Sequence, residues 1–366
     1  MKVRASVLTL LFTHSLSVFG QVPATSPAAT PDPSLPKGAR VFTVGHSFHV
    51  WVGPMVAQLA ASAGIRGHDA QVMGLGGSTV LDCWMVPEGK KRKNLPPVNT
   101  AKDALTAGTV DVLTLSPIWM PDDGIDKFAG LGVEHNPNLR ITVQTFWLPN
   151  DTYEPKYPLD VHKQPTVDHD AATIPVLRKA QDAYDHDVEE YVRGVNKKVG
   201  RDVIAIVPVG QAVLALREKV LAGQAPGIAK QSELFRDPWG HPNAPLCVLS
   251  AYCHYAVIYR RSPLGLSMPK DLKGKYDNEA LNRLLQELAW DAVRKCPMSG
   301  VQGISFLSIR AFGCLQSQSP VCALVLPHQD CRSFPSPYGC SRWNNRPRIA
   351  SLLKIRAPML FSTRFS

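Results

Sequence analysis

Outside its N-terminal segment, the 366-residue chain contains no window of 18 consecutive apolar residues. Nothing there has the length of a membrane-spanning helix. It also lacks any Cys-x-x-Cys pair, so a cysteine-rich zinc cluster has no support. Acidic residues are scarce in one place only. Residues 301–366 hold eight Lys and Arg, a single acid (Asp330) and no Glu. That segment supplies +7 of the formal net charge of +10, and Lys2 with Arg4 supply +2, which leaves +1 for residues 21–300. The basic balance is therefore no property of the main body, and nucleic acid is not an expected partner.

The ends separate from the middle by composition. Residues 1–20 begin with Lys2 and Arg4, run apolar from Ala5 to Phe19, and end in small residues at Val18 and Gly20. This pattern predicts a signal peptide cleaved before Gln21, hence a secreted or periplasmic protein with no membrane attachment after cleavage. Residues 21–37 read as a Pro/Ala/Thr-rich linker. Residues 38–300 have the composition of a folded domain. Residues 301–366 show no sustained period and carry four of the eight cysteines. That tail reads either as out-of-frame translation or as a genuine basic, disulfide-bearing extension. Cys83, Cys247, Cys253 and Cys296 are expected as buried thiols.

Within the main body, short apolar runs alternate with helical periods. Strands are expected at 39–45, 68–74, 110–116, 138–147 and 202–208. Helices are expected at 54–63, 100–107, 174–199, 210–222, 245–260 and 277–295, with an exposed basic loop over 87–99. This alternation calls for a five-stranded parallel sheet covered on both faces. In such folds functional residues gather beyond the carboxyl ends of the strands. Ser47, Gly76, Gly77, Ser116 and Gln144 all fall there.

Three features follow one another along the chain: Gly45-His46-Ser47 after the first strand, a Gly74-Leu-Gly-Gly-Ser78 turn after the second, and Asp237-Pro-Trp-Gly-His241 late in the fold. In this order they resemble the SGNH (GDSL-like) hydrolases, esterases and lipases on a three-layer, flavodoxin-like α/β fold. The resemblance covers residues 39–260. It implies Ser47 as nucleophile, His241 as general base and Asp237 as the acid that orients the histidine. It implies backbone donors at Ser47 and at Gly76 or Gly77 for the oxyanion, no cofactor and no metal. The chain departs from the family pattern in three ways. Histidine replaces aspartate in the Gly-Asp-Ser block, and Asp237 lies four residues before the histidine instead of three. The segment Ser116-Pro-Ile-Trp-Met-Pro-Asp-Asp-Gly124 has no Gly-x-Asn-Asp block, which leaves either the Ser116 hydroxyl as a third donor or a hole with only two donors.

His46, Gln144 and Trp147 are expected to line a substrate site, with Trp51, Trp119 and Trp147 as an aromatic floor for a sugar. The expected activity is hydrolysis of a small-molecule or carbohydrate ester, such as an O-acetyl group, through an acyl-enzyme. Two other readings stand beside it: a non-catalytic carbohydrate- or ligand-binding protein on the same fold, and a metal-dependent hydrolase using His46 and His49, with Asp168-His169-Asp170 as further ligands.

Overall fold

The computed structural model describes residues 35–88, 97–153 and 167–301. The expected signal peptide, most of the linker, the centre of the basic loop and nearly all of the tail lie outside them. The chain divides into a unit of residues 1–309 and a second of 310–366, and the second falls wholly outside the described residues.

Five strands form one parallel sheet: β1 (Arg40–Gly45), β2 (Asp69–Gly74), β3 (Val112–Leu115), β4 (Arg140–Thr145) and β5 (Ile204–Pro208). Their spatial order is β2-β1-β3-β4-β5, the flavodoxin-like arrangement. The central strands are buried along almost their whole length, as expected where helices cover both faces. The strands are shorter than the apolar runs suggest, because those runs continue into the buried loops beyond the sheet.

Among the described residues eight α-helices complete the fold: α1 (Val52–Ser62), α2 (Val80–Trp84), α3 (Thr100–Thr106), α4 (Asp123–His135), α5 (Ile174–Val199), α6 (Val209–Leu221), α7 (Ala244–Tyr259) and α8 (Glu279–Lys295). Helix α7 packs against α1, α6 and α8, and α4 packs against α2, α3 and α5. The result is a three-layer α/β architecture. Helix α5 has proline in its first turn and ends on Gly200, in the left-handed conformation at φ 80°. Helix α7 is buried nearly all round and runs along the sheet, with His254 bonding Gln144 near the end of β4 and the Ile258 carbonyl accepting from Arg140 at its start.

Helices α2 and α4 are absent from the sequence-based assignment. Helix α4 starts at the Asp122-Asp123 pair, and Asp122 explains it. Its carboxylate caps α4 by accepting from the Gly124 N–H at 3.0 Å, and it also accepts from the α2 N–H groups of Val80 at 2.7 Å and Leu81 at 2.8 Å. One acid thus closes two helix starts.

The expected thiols are present in the fold. Cys253 is buried, Cys247 and Cys296 are half-buried, and the Cys83 sulfur lies 3.3 Å from the Ser78 hydroxyl.

Candidate active site

Strand β1 ends at Gly45, and the chain turns at once. The N–H groups of His49 and Val50 both donate to the His46 carbonyl, at 2.9 and 3.0 Å, before α1 begins. Gly45 is needed for this turn, since a Cβ there would lie 2.7 Å from the His49 ring. The turn leaves Ser47 partly exposed while Phe48 and His49 point inward.

The Ser47 hydroxyl meets His241 across 194 residues of chain: Oγ and Nε2 are 2.8 Å apart. On the far side of the ring, Nδ1 is 2.8 Å from Asp237 Oδ2 and 3.1 Å from Oδ1. A carboxylate only accepts, so Nδ1 carries the proton and donates to it. Nε2 is then the bare nitrogen that accepts from Ser47. Asp237 is held in turn by the backbone N–H groups of Trp239 at 3.0 Å and His241 at 3.2 Å.

The spacing of four between Asp237 and His241 is absorbed by a turn. The Gly240 N–H donates to the Asp237 carbonyl at 3.0 Å, and Gly240 adopts φ 74°, a left-handed value that favours glycine. The Arg236 N–H then donates to the His241 carbonyl at 2.9 Å, closing the loop so that both side chains lie on one face. A Cβ on Gly240 would come within 2.9 Å of the Pro149 carbonyl oxygen.

The second strand contributes its glycine turn. The Leu75 N–H donates to the Gly45 carbonyl at 2.9 Å, which fastens the start of the glycine turn beside Ser47. Gly77 has φ 57°. Ser116 directly follows β3, whose last residue Leu115 pairs with Val44, so Ser116 stands level with Gly45.

The other expected site residues are placed differently from the substrate-lining role read in the sequence. Gln144 is fully buried and its amide is taken up by protein: Nε2 donates to the Phe48 carbonyl and the Ser116 hydroxyl, each at 3.3 Å, and Oε1 accepts from His254 Nε2 at 2.9 Å. Trp147 is also buried, and its indole N–H donates to the Gly240 carbonyl at 2.9 Å. It supports the Asp237–His241 loop instead of flooring a sugar site. Trp51 and Trp119 remain partly exposed, and the Trp51 indole donates to the Ser47 carbonyl at 3.0 Å. His46 is buried between the Phe48 and Phe146 rings, each 5.7 Å away, and burial pushes its pKa down to about 4. It is therefore a neutral packing residue at neutral pH.

The histidines of the metal reading do not converge. His49 donates from Nδ1 to the Val44 carbonyl at 3.2 Å and accepts at Nε2 from Thr114 Oγ1 at 3.0 Å, which uses both nitrogens. His169 bonds Asp151 at 3.0 Å, and Asp170 accepts from the Ser232 N–H and hydroxyl. Among the described residues no group of three or more His, Cys, Asp or Glu side chains is arranged to hold a metal ion.

Sequence reasoning missed the supports. Phe48 stacks on His241, and the Asn243 side chain ties the Asp237–His241 loop by donating to the Glu233 and Phe235 carbonyls, both at 2.9 Å. Asn243, two residues past the histidine and next to Pro242, was open to recognition as a loop-pinning amide. The Phe48 contact had no local signal.

No protein-family model and no curated protein sequence matches the chain. Among solved structures it is similar to a DUF4886 family protein from Bacteroides uniformis ATCC 8492, at 13% identity and a TM-score of 0.44, covering 71% of this chain and 96% of that one. It is also similar to phospholipase A1 from Streptomyces albidoflavus NA297, at 12% identity and a TM-score of 0.35, covering 61% of this chain and 99% of that one.

Proposed function

We propose that the protein is an exported serine esterase of SGNH type that cleaves a carboxylic ester through an acyl-enzyme. One observation carries this reading: the unbroken hydrogen-bond line from Ser47 Oγ through the His241 ring to Asp237, with both contacts at 2.8 Å. A serine hydroxyl becomes a useful nucleophile only when a base removes its proton during attack, and the base needs the correct tautomer. Asp237 supplies that tautomer.

In the proposed reaction the Ser47 oxygen attacks the ester carbon and its proton passes to His241 Nε2. The Ser47 and Gly77 N–H groups hold the developing oxyanion, while Ser116, fully buried against Gln144, stays behind the turn. His241 then gives its proton to the leaving alkoxide as the carbon–oxygen bond breaks. Water, deprotonated by the same nitrogen, releases the acid and restores Ser47. The partly exposed Trp51 and Trp119 near the strand ends support a carbohydrate O-acetyl ester as substrate. The leader-like N-terminal segment supports export.

The test is hydrolysis of p-nitrophenyl acetate by the full chain and by Ser47→Ala and His241→Ala. The reading expects both variants to lose about a thousandfold or more in kcat. A binding protein without catalysis, favoured by the absent asparagine after β3, expects the same slow rate from all three.

A further inference from the structure

The carboxyl ends of β4 and β5 and helices α5, α6 and α8 surround an open cavity of about 670 Å³, within the size range of small-ligand sites. Five carboxylates line it, and three of them are answered by cations: Glu218 by Arg178, Asp291 by Lys295 at 3.7 Å, and Glu189 by Arg193 at 2.8 Å. Lys219, also in the lining, donates to the Gln224 side chain at 2.9 Å. Among the described residues neither Asp182 nor Asp185 forms an ion pair. One neutral amide joins them instead, with Gln211 Nε2 donating to Asp182 at 3.1 Å and to Asp185 at 2.8 Å. Gln181 donates to Asp185 as well, at 2.9 Å. Burial, with the Asp182 charge adding to it, pushes the Asp185 carboxyl up to about 6.

Successive side chains of β4 point to opposite faces of the sheet. Gln144 faces α7, where it bonds His254, so Thr145 faces α5 and stands beside Asp185 at the cavity. The Thr145 side chain is buried, and its hydroxyl completes no hydrogen bond within the protein, Asp185 lying outside bonding geometry. An unmatched buried hydroxyl is costly, which points to a donor-bearing guest in the cavity. Ile206, Leu214 and Leu288 supply apolar lining. No described Phe, Tyr or Trp lines the cavity, so the aromatic cage that holds a methylated ammonium is missing. Nor, among the described residues, do three or more His, Cys, Asp or Glu side chains converge to hold a metal ion.

We propose that this cavity binds an organic primary ammonium ion, its charge between Asp182 and Asp185 and its hydrocarbon part against Ile206, Leu214 and Leu288. The three N–H donors of such a group match the two carboxylates and the Thr145 hydroxyl. The ammonium supplies the counter-charge that the two aspartates lack. The inference stands apart from the esterase reading, because the cavity shares no residue with Ser47, His241 and Asp237.

The experiment is calorimetric titration of the full chain with 1,5-diaminopentane at neutral pH and low salt, with hexanoate and magnesium chloride as comparison ligands. Wild type and Ser47→Ala are expected to bind the diamine saturably, one molecule per chain, and to ignore hexanoate. Asp182→Asn should weaken that binding about tenfold or more, the loss typical of a charge-assisted bond, and Asp182→Lys should abolish it. Thr145→Val, an apolar isostere, should weaken it about threefold or more. Melting temperatures identify folded variants, and Asp182 is exposed, so its variants keep the test open if Thr145→Val does not fold. Absence of saturable diamine binding overturns the proposal. So does affinity unchanged in folded Asp182→Lys or Thr145→Val, and so does magnesium binding that depends on Asp182 in a chain that ignores the diamine. Each of these results leaves the esterase reading where it stands.

Discussion

The phenyl ring of Phe48 lies flat against the imidazole of His241, with centroids 4.7 Å apart and planes 14° from parallel. The residue after the proposed nucleophile thus forms one wall of the proposed base. Stacking leaves the in-plane nitrogens free for Ser47 and Asp237 and fixes the ring's tilt between them. Phe48 also touches Trp147, whose indole holds the Gly240 carbonyl, so one aromatic group supports the Asp237–His241 loop and its histidine together.

Phe48→Leu keeps an apolar filler but removes the flat face. The expected result is a folded protein with kcat reduced about tenfold, since small displacements of a catalytic group are costly. Steady-state kinetics with a thermal melt checks it. An unchanged kcat would show that His241 needs no wall.

Gly240→Ala faces two obstacles at once. The position has φ 74°, and the added methyl would meet the Pro149 carbonyl at 2.9 Å. The strain is expected to cost about 1–3 kcal/mol and to shift Asp237 relative to His241. Both unfolding free energy and kcat should fall. Loss of stability alone would mean that the turn does not set the triad's geometry.

Asp237→Asn preserves shape but lets the wrong tautomer form, with the proton on the nitrogen that faces Ser47. A loss of about 10⁴ in kcat with little change in melting temperature is expected. If the acid is dispensable, a loss of tenfold or less will show it.

His46 carries a pH prediction. Its pKa is pushed down by burial to about 4, below the ordinary histidine value of 6.5 in the unfolded chain. Between these values the unfolded state binds a proton that the folded state refuses, so stability is present above 6.5 and is lost as pH falls toward 4. The slope for one such group is about 1.4 kcal/mol per pH unit. His46→Leu removes the proton site and keeps an apolar side chain between Phe48 and Phe146. The stability of wild type relative to this variant should drop by about 2 kcal/mol from pH 7.5 to pH 5, measured by urea unfolding. A constant difference across that range would contradict the assignment.

The fold and the proposed catalytic residues differ in how openly the sequence carries them. The strands are read from continuous apolar runs, and α5 from apolar residues at spacings of three and four closed by Gly200, so its expected and observed bounds coincide. Helix α4 is obscured by its three glycines; Asp122 is its local cap, and the same carboxylate also serves α2 at Val80, 42 residues away in sequence. Ser47, Asp237 and His241 stand out because residue type, order and strand-end position agree. Gln144 and Trp147 were misread as substrate-lining because polar and aromatic side chains at a strand end look alike in sequence whether they face solvent or interior. Their burial depends on α7 and on the Gly240 loop, which fold over them from about 100 residues downstream.

The most direct test of the central claim is active-site labelling. A fluorophosphonate loses fluoride to an activated serine and leaves a phosphonyl group on it. The full chain is expected to take up one such group, found by mass spectrometry on the peptide containing Ser47. Ser47→Ala should remain unlabelled, and His241→Ala should react far more slowly. Labelling of Ser47→Ala at the wild-type rate, or no labelling of the folded wild-type chain, would contradict the account.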